Sequence, residues 1–304
     1  AGVIFIENTY IGTSNVNITD SIFDNNNAAS SGGVITLWGS NSAVNLNIMN
    51  SNFTNNSGSN GGVFFSSSNN VVSLNIIGST FINNTATSNG GTIYLTSNNN
   101  MSYFNISNST FTGSNSGWKG GGVYTGGIAK ININNSTFNN NTASNGGGAI
   151  NAFNRNISIT NSTFVNNTAV NGGGFHVASD ANTIVSVVIL NSTFVNNTAT
   201  NAGGAIYLLN STNNTISADI VGNIFVDNSN TFGVIRVNTP NVKVNYNVFF
   251  NQTAPISSGD IIYNVNADYN YYGYNGIPTM SNIVVNNYYV LGITNMSDLS
   301  ANYS

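Results

Sequence analysis

The chain has no cysteine, three prolines, one histidine and very little charge: five Lys or Arg and nine Asp or Glu, or 5% of 304 residues. Without cysteine there is neither a disulfide framework nor a thiolate metal site, and a lone His176 has no company for ligating a metal. Five scattered bases make no stripe that would release counterions from a nucleic-acid backbone, so nucleic acid is not an expected partner. No apolar run approaches the ~20 residues of a membrane span, and Ala1 to Tyr10 lacks the basic start of a signal peptide. The segment is expected to be soluble and processed or trimmed, to insert in no membrane and to need no cofactor.

What is present is strongly biased. About a fifth of the positions are Asn, Gly numbers 32, and 40% of residues are hydrophobic. So polar a chain with so little charge reads at first as disordered, yet Ile, Val, Phe and Tyr recur on a period, so apolar surface is being buried regularly.

The period is set by Phe23, Phe53, Phe81, Phe111, Phe138, Phe164, Phe194, Phe225 and Phe249, spaced 24 to 31 residues apart. Around several of them one phrase returns almost unchanged, as in Ser162-Thr163-Phe164-Val165-Asn166-Asn167-Thr168-Ala169 and Ser192-Thr193-Phe194-Val195-Asn196-Asn197-Thr198-Ala199. About ten residues after most phenylalanines a Gly pair ends and an apolar tetrad begins, such as Val34-Ile35-Thr36-Leu37 or Ala205-Ile206-Tyr207-Leu208. Period two within the tetrad predicts a strand with its second and fourth places inward and its third outward. A second alternating strand precedes each Phe, as in Val44-Asn45-Leu46-Asn47-Ile48, with Asn17, Asn47, Asn75, Asn105 and Asn132 facing out. The Ser-Thr-Phe segment is the third.

Three short strands per coil cannot close a core alone, so each coil must pair in parallel with its neighbours. The predicted fold is all-β, a right-handed parallel β-helix of about nine coils with three strands per coil and a stacked phenylalanine column. Asn pairs such as Asn83 with Asn84 fall at a turn, where the short amide tolerates left-handed angles and can hydrogen-bond along the stack. The expected organisation is a repeat domain at 1–263, a tyrosine-rich cap at 264–294 whose rings pack and whose hydroxyls stay wet, and a linker at 295–304.

The Gly-Gly-Ala-Ile form at Gly147 to Ile150 and Gly203 to Ile206 and the Phe-x-x-Asn form at Phe53/Asn56, Phe81/Asn84, Phe138/Asn141 and Phe164/Asn167, among others, resemble two groups of surface proteins. These are the methanogen adhesin-like proteins and the polymorphic outer-membrane proteins of chlamydiae. The ending from Asp268 to Pro278 is similar to the aromatic, Asn-rich close of the methanogen group, with tyrosines where tryptophans are frequent. The resemblance implies an extracellular adhesin, secreted and anchored through a region outside this sequence, with glycans or the surface of another cell as partners.

The same fold carries pectate lyases and polygalacturonases, so catalysis must be weighed on residues. A lyase needs a carboxylate-bound cation beside a base, and hydrolysis needs paired carboxylates. Asp20 with Asp24 and Asp219 with Asp227 are pairs in sequence only, straddling a strand, which makes a non-catalytic protein the expectation. His176 is expected in the inward second place of its tetrad as a core residue with a hydrogen-bond partner. The outward third places are read as Thr36, Phe65, Tyr94, Thr125, Asn151, Val177, Tyr207, Arg236 and Ile262, aromatics and amides at ~5 Å steps on which sugar rings could stack. Phe65, Tyr94, Tyr207 and Arg236 are therefore candidate ligand-binding residues. Trp118 and Lys119, inserted where the fourth coil departs from the phrase, are candidates as an exposed anchor, with a local plug as the alternative. Self-association of the uncharged flanks, giving a spacer or sheath subunit, is the competing structural reading.

Overall fold

The computed structural model describes residues 2–8, 12–39, 43–68, 71–180, 183–210, 216–259, 265–274, 276–280 and 282–290. Every strand pairing is parallel, and each joins a residue to its equivalent one coil away. The chain is a β-solenoid.

The phenylalanine strands form a nine-stranded sheet from Ile22–Asp24 to Val248–Phe250. Its rings stack in register with centroids 4.5 to 5.0 Å apart and planes within 11° of parallel. From Phe53 to Phe249 all of them are fully buried. A second face holds the alternating strands, including Ala43–Met49, Val71–Ile77 and Asn156–Thr160, with Leu46, Leu74 and Ile157 inside. The tetrads form a third face, and two long strands, Ile93–Ser107 and Val123–Asn134, run through both and merge them into one sheet. A fourth, six-stranded element of short pieces such as Thr85–Ala86 and Thr142–Ala143 follows the Asn pairs. Three strands per coil therefore undercounts these coils: two residues carry too little alternation to be seen as a strand, and only stacking reveals the pairing.

Corners are set by left-handed backbone. Asn83, Asn140, Asn166 and Asn196 have φ of 51 to 56°, and so turn the chain after the Phe strand. The second Asn of each pair points inward and is buried. Asn167 Nδ2 donates to Phe138 O at 2.9 Å in the coil below and to Asn197 Oδ1 at 2.9 Å in the coil above, the same pattern runs through Asn141 and Asn197, and Asn228 Nδ2 donates to Phe194 O at 2.8 Å. The outward ladder Asn17–Asn47–Asn75–Asn105–Asn132 closes at 2.7 to 2.9 Å per step. At the corner before the tetrad the requirement is for glycine: Gly90 has φ +63°, and a Cβ there would lie 2.1 Å from Ile93 O.

A serine column was not anticipated from the sequence. The backbone N–H of Ser51, Ser79, Ser109, Ser136 and Ser162 each donates to the hydroxyl of the serine above at 3.1 to 3.2 Å. Asn223, Asn247 and Asn270 continue it toward the C-terminal end.

Tyr272 lies over Phe249 at 5.6 Å and extends the ring column by one level. Its hydroxyl is not wet, contrary to the expectation for the tyrosine-rich segment. It donates to Ala267 O at 2.7 Å, and burial pushes its pKa up to about 12. Residues 291–304, including the expected linker, lie outside the described residues.

Candidate functional site

Strand register fixes which residues share the outer column of the tetrad face: Thr36, Phe65, Tyr94, Tyr124, Asn151, His176, Tyr207, Arg236 and Ser257. This corrects the sequence reading at three levels. Thr125 and Val177 are inward and buried, and Tyr124 and His176 take the outer places. Ile262 lies outside the described residues, and the level above Arg236 is Ser257. At the Tyr124 and His176 levels the cause is the triple glycine. Gly122 and Gly174 fill the first place of the tetrad, where Ala149 and Ala205 stand in other coils. Counting the tetrad from the last glycine slips the register by one, and one residue of slip exchanges the two faces. A signal was available: Phe175 and Val177 are apolar around a polar His176, and period two alone places the histidine outside.

The column is not a wet flank either. Phe65 keeps 9% of its surface, Tyr207 8%, His176 4% and Thr36 2%. The ridge preceding each tetrad folds over it, since Gly32 N–H donates to Thr36 Oγ1 at 3.2 Å and a Cβ on Gly146 would touch His176 Nδ1 at 2.6 Å. Beneath that ridge the rings do stack, with Phe65–Tyr94, Tyr94–Tyr124 and His176–Tyr207 all at 5.2 Å. Tyr94, Tyr124 and Arg236 remain half-buried. Burial raises the phenol pKa of both Tyr124 and Tyr207. Arg236 lies over the Phe232 ring at 5.4 Å and donates to Ser257 Oγ at 3.3 Å.

His176 is buried with a partner, as expected, but in the outer column. Asn151 Nδ2 lies 2.7 Å from its Nδ1, and with the amide donating, the ring proton sits on the buried Nε2. Burial first and the charge of Lys119 second lower its pKa to about 3, so it is neutral in all ordinary buffers. Lys119 pairs through its backbone with Gly146, while Trp118 leaves 51% of its surface in solvent.

The acids are dispersed. Asp20 occupies an exposed corner at φ 49°, Asp24 accepts from Asn55 Nδ2 at 3.4 Å, and Asp227 accepts from Asn251 Nδ2. Sequence reasoning missed one pairing: register places Asp219 against Lys243, with Nζ 3.6 Å from Oδ1 on an open surface. It also missed Arg155, which is 1% exposed. One guanidinium nitrogen donates to Gly126 O, the Nε and Nη1 atoms have no hydrogen-bond partner among the described residues, and burial lowers its pKa to about 10. Among the described residues no group of three His, Asp or Glu side chains could hold a metal ion.

Comparison with known proteins returns one family. The Chlamydia polymorphic membrane protein repeat matches residues 78–96, 135–152 and 191–208. Each stretch runs from the corner before a Phe strand through the Asn pair and the Gly corner into a tetrad, and leaves out the alternating strand of the second face. No curated protein and no solved structure matches the chain. Three stretches of the chain are thus similar to the repeat of Chlamydia polymorphic membrane proteins, which fits a repeat protein of the outer-surface, adhesin type.

Proposed function

We propose that this chain is a non-catalytic adhesive shaft on a cell surface, of the methanogen adhesin-like kind, which binds glycans or the surface of another cell through its flanks. The observation that carries the reading is the likeness to a surface-protein repeat in a sparsely charged stack, whose recurring Asn, Ser and Phe are accounted for by internal ladders. The dispersion of the acids supports a role without catalysis. The test is binding of the intact, folded chain to microbial and host cells and to a glycan array. Absence of binding to every surface would overturn it, as would new reducing ends or unsaturated products after incubation with pectic glycans.

A further inference from the structure

The corner that leads into each Phe strand is a single column with left-handed backbone. Its occupants are Asp20, Asn50, Gly78, Asn108, Asn135, Asn161, Asn191 and Gly222, with φ between 48 and 69°. These are the residue types that enter this conformation at little steric cost. The next two levels break the rule: Tyr246 and Tyr269 stand there at φ 59 and 60°. Gly222 N–H donates to Asn245 O, as at earlier corners, which places Tyr246, and the register of Lys243 with Asn266 places Tyr269 one level further. A bulky aromatic in this region is strained, and residues held in such strain cluster at functional sites.

Burial does not compensate. Tyr246 is 53% exposed and Tyr269 40%, although the two rings stack at 5.4 Å with planes 7° apart. Tyr289, 50% exposed, leans against both at 6.4 Å. One face of the Tyr246 ring is covered by Tyr269. The other looks toward the level of Gly222, which carries no side chain of its own, with Asn191 Oδ1 reaching to 2.7 Å from where its Cβ would stand. Along the same strands, three residues or about 10 Å back from the corner, a groove of about 440 Å³ is lined by Ser186, Ser217, Asp219, Lys243 and Asn266. Here Asp219 and Lys243 form their pair at 3.6 Å with side chains 50% and 64% exposed.

We infer that this flank, from the Asp219–Lys243 groove to Tyr246 and Tyr269, binds a short neutral saccharide. The open ring face of Tyr246 takes the C–H face of a pyranose, while the carboxylate, ammonium, hydroxyl and amide groups of the groove take hydroxyls of the neighbouring sugars. The acid and base cancel, so the groove has no net charge with which to select an anionic chain. This deepens the adhesive reading and rests on it. It places recognition at the C-terminal end of the shaft, away from the ridge-covered tetrad column.

The test is affinity electrophoresis of the intact chain in gels carrying laminarin, xyloglucan, galactomannan or pectic galactan, with hyaluronan as the anionic comparator. At least one neutral polysaccharide is expected to retard the protein. Tyr246→Asn and Tyr269→Asn restore the residue that other corners use, so both variants should unfold at the same or higher urea concentration while binding at least about tenfold more weakly. Tyr246→Phe keeps the ring and should keep the binding. Unchanged retardation of the two Asn variants overturns the site, as does retardation by hyaluronan alone or by none of the neutral polymers. If cells still adhere in that last case, the saccharide site falls and the adhesive reading stands. Loss of both removes both.

Discussion

Replacing Asn167 by Ala tests whether the buried amide ladder holds the coils together. The Asn167 side chain makes four hydrogen bonds: Oδ1 accepts from Asn141 N at 3.0 Å and Asn141 Nδ2 at 2.9 Å, while Nδ2 donates to Phe138 O and Asn197 Oδ1, both at 2.9 Å. After truncation Asn141 Nδ2 keeps Phe111 O, and Asn197 Oδ1 keeps the backbone N–H of residue 167. Asn141 N–H is left without an acceptor in a fully buried site, at about 1 to 3 kcal/mol, and the three other bonds are worth roughly 0.5 to 1 kcal/mol each. The expected loss is about 3 to 5 kcal/mol. Asn196→Ala, on the outer side of the same turn, gives up one exposed bond to Asn166 Oδ1 and the amide's tolerance of φ 51°. It should cost only about 1 to 2 kcal/mol. Equilibrium urea unfolding followed by far-UV circular dichroism and tyrosine fluorescence measures both, with coincident transitions as the check on two-state analysis. A cost under about 1 kcal/mol for the inner substitution, or one no larger than for the outer, would refute the ladder as a source of stability.

Other expectations follow from the same geometry. The ladder is interrupted at Ser114, whose hydroxyl bonds Thr92 Oγ1 at 2.7 Å, so Ser114→Asn combined with Thr92→Ala should raise stability by about 1 to 2 kcal/mol, and a lower urea midpoint would contradict this. Arg155 is buried with two nitrogens that have no hydrogen-bond partner among the described residues, so Arg155→Leu should be neutral or stabilising by about 1 to 4 kcal/mol, and a loss above about 1 kcal/mol would show the guanidinium to be structural. His176 has a folded pKa of about 3 against the ordinary 6.5, so the unfolded chain binds the extra proton first as pH falls. Stability is then flat above the unfolded value and declines between about pH 6.5 and 3 by up to ~1.4 kcal/mol per unit. His176→Asn should flatten that acid limb in thermal melts, while an unchanged slope would assign it to the carboxylates.

The repeat, the coil length, the phenylalanine column, the outward Asn ladder and the Asn corners are legible in the sequence, because each is a local pattern repeated often enough to reveal its period. The serine column is legible only in hindsight, since a serine before Thr-Phe carries no signal of burial by itself. The candidate surface was harder to read. Phe65, Tyr94 and Tyr207 do share a column, yet only stacking shows that the preceding ridge covers most of it.

What the sequence alone determined is therefore the solenoid and its interior: residues one period apart must lie over one another, and their polarity states which way they face. What the tertiary structure decided is register at Gly120 to Gly122, where the following Val123-Tyr124-Thr125 does not mark the face, and the meetings between coils. Asp219 reaches Lys243, Arg155 reaches Gly126, and Tyr246 stacks on Tyr269, each across a full turn of chain. Such contacts depend on the path of the intervening turn as well as on the residues themselves, so they take form only once the coils are stacked.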